Sequence, residues 1–440
     1  MLTLNGYQLP KDSRELALKK ALTVRPFSFV NPMAQPKYPV YHETKSHLYL
    51  PKHFGIERYG KVPTTRDVAQ TAAWFWEFTG SLRPVQLPVV NSFLLPEPHD
   101  GIISLHTGGG KTVCALYIAS RLRVPALVVV HNTFLRDQWI DRVKAFLPNA
   151  RIGRVQADVC DVADKDIVIV MLQTLSMKEL NDNLFAPIGL VIVDECHHIA
   201  SEVFVQALPK VTSRYMLGLS ATPDRKDKLM YAIHWFLGPL LYKSETGDSV
   251  DTQVNVEVYE YQNDDPEFNE IVVSSQGMVS VPIMVNKLTG CEDRTKWLCG
   301  ILEDISEGGR QILVLSDRVQ HCQDILAGLS PGLRETACIL GTAVKAEVRA
   351  EYCKTKSILI ATYTMCREGF DVPTLNTLLM ATPRPDIDQI VGRILRVEKT
   401  GRIVHPLIVD IVDPQFRRQF GVRNGLYKKR QYRVTKMRLN

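Results

Sequence analysis

Short apolar runs of four to seven residues recur along most of the chain. Each is followed by a polar or glycine-bearing turn and then a longer mixed segment. GIISLHTGGG (101–110), PALVVVHNT (125–133), DIVIVMLQT (166–174) and IGLVIVDECHH (188–198) are examples. Runs this apolar suit strands buried on both faces. Strands alternating with helical segments imply βαβ units and a parallel sheet. The pattern lapses around residues 243–256, a polar, glycine-bearing stretch with little helical character. A second alternating series then follows: RQILVLSDR (310–318), SILIATYT (357–364), TLNTLLMATP (374–383) and RIVHPLIVDIVD (402–413). The periodicity therefore predicts an α/β protein with two similar parallel-sheet domains in tandem. One spans 81–243 and the other 257–440, with a linker at 244–256. Residues 1–80 do not share the pattern. They are rich in proline and aromatic residues and end in a cluster of Trp74, Phe75, Trp76 and Phe78. They are predicted to form a small irregular or β-rich accessory domain.

Composition adds bounds. With 440 residues, 45% hydrophobic and 23% charged, the chain has a globular balance that excludes wholesale disorder or a collagen-like repeat. No apolar run approaches the roughly 18 residues needed to span a bilayer. The N-terminus lacks a charged segment followed by an apolar core. The expectation is an intracellular protein with no membrane partner; nucleus, cytoplasm, viral factory and virion remain open. Nine scattered cysteines without a C-x-x-C pair suggest free thiols in a reducing compartment. The net charge of +6 is unevenly placed: residues 415–440 hold nine Lys or Arg and no acidic residue, and the first 414 residues carry a net −3. Such a block marks a solvated tail or a polyanion contact.

The candidate chemistry lies at the strand ends. After the apolar run 102–105 comes Thr107-Gly108-Gly109-Gly110-Lys111-Thr112, then a helical stretch. Glycines let backbone N–H groups wrap phosphates at a helix N-terminus, where the dipole favours anions. Lys111 would reach the β and γ phosphates of ATP, and Thr112 would offer its hydroxyl to Mg²⁺. The string alone also suits a glycine-rich turn with a surface lysine; the strand before it and the helix after it favour phosphate binding. The first glycine of the strict eight-residue form is replaced by Leu105. Asp194 and Glu195 end the buried run 190–193. A carboxylate there can hold Mg²⁺, and its neighbour can polarise the attacking water; Asp194 is assigned to the metal and Glu195 to the water. Zinc at Cys196, His197 and His198 is disfavoured, because adjacent histidines diverge and no second ligand pair lies nearby.

Taken in order, LRPVQ (82–86), HTGGGKT, DECHH, LSATPDRKD (219–227), ATYTMCREGFDVPTLNT (361–377) and QIVGRILR (389–396) resemble the superfamily 2 DExH helicases. The nearest likeness is to XPB/UvsW-type double-stranded DNA translocases and their relatives in large DNA viruses. The resemblance covers residues 81–413 and implies two RecA-like domains that hydrolyse ATP with Mg²⁺. Position by position, it implies that Arg83 and Gln86 recognise adenine. Lys111 and Thr112 form the Walker A pair, Asp194 and Glu195 Walker B. His197 or His198 would be the coupling histidine. Ser220, Ala221 and Thr222 would link hydrolysis to strand movement, and Gly369 and Asp371 would touch nucleotide and nucleic acid. Gln389, Arg393 and Arg396 would complete the site from the second domain. Duplex or branched DNA is the implied partner, with replication, repair or transcription proteins alongside. DECH in place of DEAD, and HNTFLRDQW (131–139), set the chain apart from the RNA-directed DEAD-box branch. An RNA-directed DExH helicase and a non-motor nucleotide-binding module are the alternatives.

Overall fold

The computed structural model describes residues 1–26, 35–63, 76–106, 108–181, 183–198, 203, 206–221, 229–244, 253–273, 279–341, 344–367, 372, 374–395, 397 and 401–437. The chain forms two compact units, Met1–Ser244 and Glu245–Asn440.

In the first unit, Leu2–Thr3, Gly6–Pro10, His47–Leu50 and His42–Glu43 form a four-stranded antiparallel sheet of their own. Helix α1 (Lys52–Tyr59) follows. Gly55 lets α1 lie directly on Tyr7: a Cβ there would sit 2.2 Å from the Tyr7 ring. This accessory element is not detached. Tyr7, Leu48, Leu50 and Phe54 share one buried cluster with Leu127, Val191 and Ile233 of the neighbouring α/β layer. Phe54 packs edge-on against Trp235 at 5.1 Å between ring centroids. Lys52, itself buried, places Nζ 2.6 Å from Asp100 and donates to the carbonyls of Ser213 and Arg214. Asp100 also meets His53 at 2.8 Å. Of the aromatic cluster, Trp76 is buried and Phe78 stacks on Phe146; Trp74 and Phe75 lie outside the described residues.

The strands of the two large sheets are numbered β1 to β15 along the chain. The first sheet contains β1 (Gly101–Ser104), β2 (Ala126–Val130), β3 (Ile152–Gln156), β4 (Val159–Asp161), β5 (Ile167–Met171), β6 (Leu190–Val193), β7 (Tyr215–Ser220) and β8 (Leu240–Lys243). Their order is β4-β3-β5-β2-β6-β7-β1-β8, parallel throughout except for the β3–β4 hairpin. Every residue of β1, β2, β5, β6 and β7 is buried, which is why these runs read as continuous apolar stretches rather than alternating ones. Helices α2 (Lys111–Leu122) and α3 (Thr133–Phe146) are crossovers whose apolar residues join one core with the sheet.

The second sheet is wholly parallel: β9 (Asn255–Glu260), β10 (Ile312–Ser316), β11 (Ala337–Leu340), β12 (Ile358–Thr362), β13 (Thr377–Met380), β14 (Leu407–Val412) and β15 (Arg433–Met437). The order is β11-β12-β10-β13-β14-β9-β15. Asn255 and Val256, expected in the linker, open β9 and pair with Leu407 and Ile408; their alternating inward positions fit a strand better than a tether. The basic C-terminal segment is likewise built into this unit. It forms helix α4 (Arg417–Lys429) and the edge strand β15. Arg423 is fully buried in a bidentate pair with Asp410, and Tyr427 donates to the same carboxylate at 2.7 Å. Arg430 pairs with Asp388. Among the described residues no helix is long and apolar enough to cross a membrane.

Candidate active site

Strand order brings the motifs together. β7 lies between β6 and β1, with Val193 opposite Gly218 and Ser220 opposite Ser104. The segments that follow β1, β6 and β7 therefore leave the sheet along one edge, at the carboxyl ends where ligands of open α/β sheets bind.

Gly108 and Gly110 have φ of 85° and 86°, conformations that side chains with a Cβ rarely adopt. Gly110 is constrained twice over, since a Cβ there would lie 2.1 Å from Gln86 Nε2. Gln86 is buried and donates to the Gly109 carbonyl at 3.2 Å, while Arg83 donates to the Gly108 carbonyl at 3.2 Å. Gln86 also accepts from the Arg83 backbone N–H. Two residues some twenty positions upstream thus brace the loop. Gly110 caps α2, so Lys111 and Thr112 form its first turn. Thr107 lies outside the described residues.

Lys111 Nζ sits 2.6 Å from Glu195 Oε1. Glu195 has φ of 46°, a left-handed conformation unusual for a non-glycine residue and one that tends to accompany functional turns. Asp194 is buried. Its Oδ1 accepts from the Glu195 backbone N–H, and its Oδ2 accepts from Trp139 Nε1 at 2.8 Å. Burial, and then the charge of Glu195, raise the Asp194 carboxyl to about 6; Lys111 and Trp139 act in the opposite direction. Of the two histidines, His197 is buried with Nδ1 2.9 Å from Ser220 Oγ and 3.4 Å from Glu195 Oε2. It bridges the acidic pair to the end of β7. The side chain of His198 lies outside the described residues. Ala221 follows Ser220 half-buried, and Thr222 is not among the described residues.

Trp139 was not singled out by sequence reasoning. It lies in the segment HNTFLRDQW, which served there only to mark the branch. A tryptophan on the inner face of a predicted helix reads as ordinary core, and nothing local shows that its N–H meets a carboxylate 55 positions away.

In the second unit, Gln389 stands in a four-residue helix, Asp388–Val391, and is half-buried. Arg393 lies in the turn beyond it rather than on the same continuous helix face. It is buried, with Nη2 2.6 Å from the Cys366 carbonyl. Gly369, Asp371 and Arg396 lie outside the described residues.

A glycine loop opening a helix, an acidic pair and a histidine–serine link on one parallel-sheet edge, followed by a second parallel-sheet unit, are the arrangement of the RecA-like ATP-hydrolysing motors. The family model for the res subunit of type III restriction enzymes matches residues 79–225. A protein of Acanthamoeba polyphaga mimivirus named as a putative ATP-dependent RNA helicase is 30% identical, covering 99% of this chain and 86% of that protein. A protein of African swine fever virus, strain Badajoz 1971, with the same description is 27% identical over 95% of this chain and 88% of its own length. The crystal structure of T4 UvsW is similar at 16% identity, with a TM-score of 0.36 over 97% of this chain and 96% of that one. The chain belongs to the superfamily 2 helicases, in the group that includes the mimivirus protein, and it is an ATP hydrolase.

Proposed function

We propose that this protein couples ATP hydrolysis to movement along, or remodelling of, duplex or branched DNA. The observation that carries the ATP half of the reading is the convergence of Lys111, Glu195, Asp194, His197 and Ser220 on one sheet edge. The loop amides of residues 107–110 would hold the phosphates. A γ-phosphate in the loop would compete with Glu195 for Lys111, freeing the carboxylate to orient water and take its proton. Lys111 would then neutralise charge on the transferred phosphoryl group. His197, linked to both Glu195 and Ser220, would convey the state of the site to β7 and to Ala221 and Thr222. Gln86 and Arg83 would position adenine and loop together. Gln389, Arg393 and Arg396, with Gly369 and Asp371, would complete the site from the second unit.

The donor set fits Mg²⁺. Asp194 is a buried carboxylate with Glu195 next to it, a concentration of negative charge that a cation would offset, and Thr112 stands in the helix turn after the loop. Among the described residues no three His, Cys, Asp or Glu converge to cage a metal; the cation would draw its other ligands from nucleotide and water, as Mg²⁺ commonly does. Bound there, it would offset charge on the β and γ phosphates.

The DNA half rests on the DECH box and on HNTFLRDQW, which resemble the DNA translocases. The RNA reading is favoured by the names of the viral relatives. ATPase activity measured with single-stranded, duplex and forked DNA and with RNA, each at equal nucleotide concentration, separates them. Stronger stimulation by duplex or forked DNA is expected; stimulation by RNA alone would establish the second reading.

A further inference from the structure

Helix α4 carries two different sets of cations. Its inward side is tuned for stability: Arg423 and Tyr427 share Asp410, and Arg430, just past the helix end, pairs with Asp388. Its outward side bears Arg417, Arg418, Gly421, Val422, Gly425, Lys428 and Lys429, all exposed. At 100° per residue these seven fall on one face. Among the described residues the side chains of Arg417, Arg418 and Lys428 make no hydrogen bond or ion pair, and residues 415–440 contain no Asp or Glu. Within the helix the positions four residues from Arg417, Arg418 and Lys428 are Gly421, Val422 and Asn424, so no i,i+4 acid on the helix offsets them.

This face is poorly suited to helix stability for its own sake. Arg417 and Arg418 occupy the first turn, where the dipole disfavours cations. Gly421 and Gly425 occupy the interior, where glycine is the least favourable residue after proline. Neither glycine is demanded by the fold: each has ordinary φ, and an added Cβ would meet nothing within 4 Å. A bare strip between two cation pairs does have a use for an occupant that must approach the helix backbone closely while touching positive charge at both ends. Arg417 and Lys428 are separated by about 16 Å along the axis, the rise of roughly five phosphates of one strand.

We infer that the exposed face of α4 is a docking surface for the phosphodiester backbone of duplex DNA, gripped by Arg417 and Arg418 at one end and by Lys428 and Lys429 at the other, with Gly421 and Gly425 allowing close approach. This rests on the reading of the chain as a motor that acts on nucleic acid, and it assigns no role in base recognition.

The test uses full-length protein and compares wild type with two variants. One is Arg417→Gln/Arg418→Gln/Lys428→Gln/Lys429→Gln; the other is Gly421→Ala/Gly425→Ala. Affinity for a 40-base-pair DNA duplex and for a single-stranded RNA of equal charge is measured across a salt series, with thermal unfolding of each protein. Four lost phosphate contacts should make the slope of log affinity against log salt shallower by about 3, uniformly across sequences. The glycine variant should unfold at a higher temperature yet bind at least about threefold more weakly, a combination that a purely structural helix would not produce. Parallel salt slopes for wild type and charge variant, or a glycine variant that is stabilised and binds as wild type, would overturn the docking face. If wild type binds neither nucleic acid and neither stimulates its ATPase, the motor reading falls and the face falls with it. Parallel slopes on the DNA duplex with diverging slopes on the RNA would overturn the assignment of the face to DNA.

Discussion

At the residue scale, the Lys111–Glu195 contact and the Trp139–Asp194 hydrogen bond lead to separate expectations. Lys111→Ala removes a charge that acts on the transition state, so turnover should fall more than 100-fold, about 3 kcal/mol, while circular dichroism remains that of wild type. DNA-stimulated turnover near the wild-type rate would remove Lys111 from the site. Trp139→Phe keeps the ring but leaves a buried carboxylate oxygen without its donor. A stability loss of about 1–3 kcal/mol is expected, together with a higher Mg²⁺ concentration for half-maximal turnover; an unchanged Mg²⁺ requirement would mean that Trp139 is core alone. The raised Asp194 carboxyl has a definite sign. Its folded pKa of about 6 exceeds the ordinary carboxylate value, so the folded state binds the proton more readily than the unfolded chain. The group's contribution therefore favours folding as pH falls from about 6 toward 4 and becomes constant and unfavourable above that window. Proton and cation compete for the same oxygens, so the Mg²⁺ requirement should rise as pH drops below about 6. A requirement that is flat from pH 5 to 8 would contradict this.

At the scale of elements, α1 decides what the N-terminal segment is. Burial alone would push the Asp100 carboxyl up, but Lys52 and His53 outweigh it and hold it below the usual carboxylate range. Its stabilising contribution is thus present above about pH 4 and lost as pH falls through the lowered pKa. Asp100→Asn would leave Lys52 buried without its counter-ion, at a cost of about 3–5 kcal/mol. The thermal midpoint should fall by roughly 10 °C, measurable by calorimetry. A loss below one degree would show the pair to be dispensable. For the same reason, removal of residues 1–63 should yield an aggregating product, because Leu127, Val191 and Ile233 would lose part of their shared core. The accessory element was legible as a compositional break near residue 80. Its attachment was not, because Lys52 and Asp100 are 48 positions apart and each reads as an ordinary surface charge.

At the scale of the whole molecule, Lys111 and Glu195 belong to one unit and Gln389 and Arg393 to the other. Hydrolysis that needs both would respond to substitutions in the second unit without loss of ATP binding. Arg396→Ala should lower turnover by about 10³-fold or more while fluorescent ATP analogues still bind. Arg393→Ala should behave differently, because its guanidinium also holds the Cys366 carbonyl. It should lose thermal stability as well as turnover. Equal thermal midpoints for the two variants would show that the Cys366 contact contributes nothing to folding.

Unbroken apolar runs and their turns determined the tandem α/β architecture, because strands buried on both faces leave no room for polar alternation. Local strings determined the glycine bend and the acidic pair, because a glycine bend before a helix and a carboxylate after a strand are short-range requirements. Tertiary structure alone decided how those strings meet. The insertion of β7 between β6 and β1 places Ser220 beside His197, and the return of α3 over the sheet brings Trp139 to Asp194. It also divided the basic C-terminal segment. Nine cations look alike in sequence, yet Arg423 is consumed by Asp410 and Arg430 by Asp388, while Arg417, Arg418, Lys428 and Lys429 face outward. Which charge is buried with a partner and which remains exposed depends on where a helix lands on its sheet, a long-range outcome that no short stretch of sequence contains.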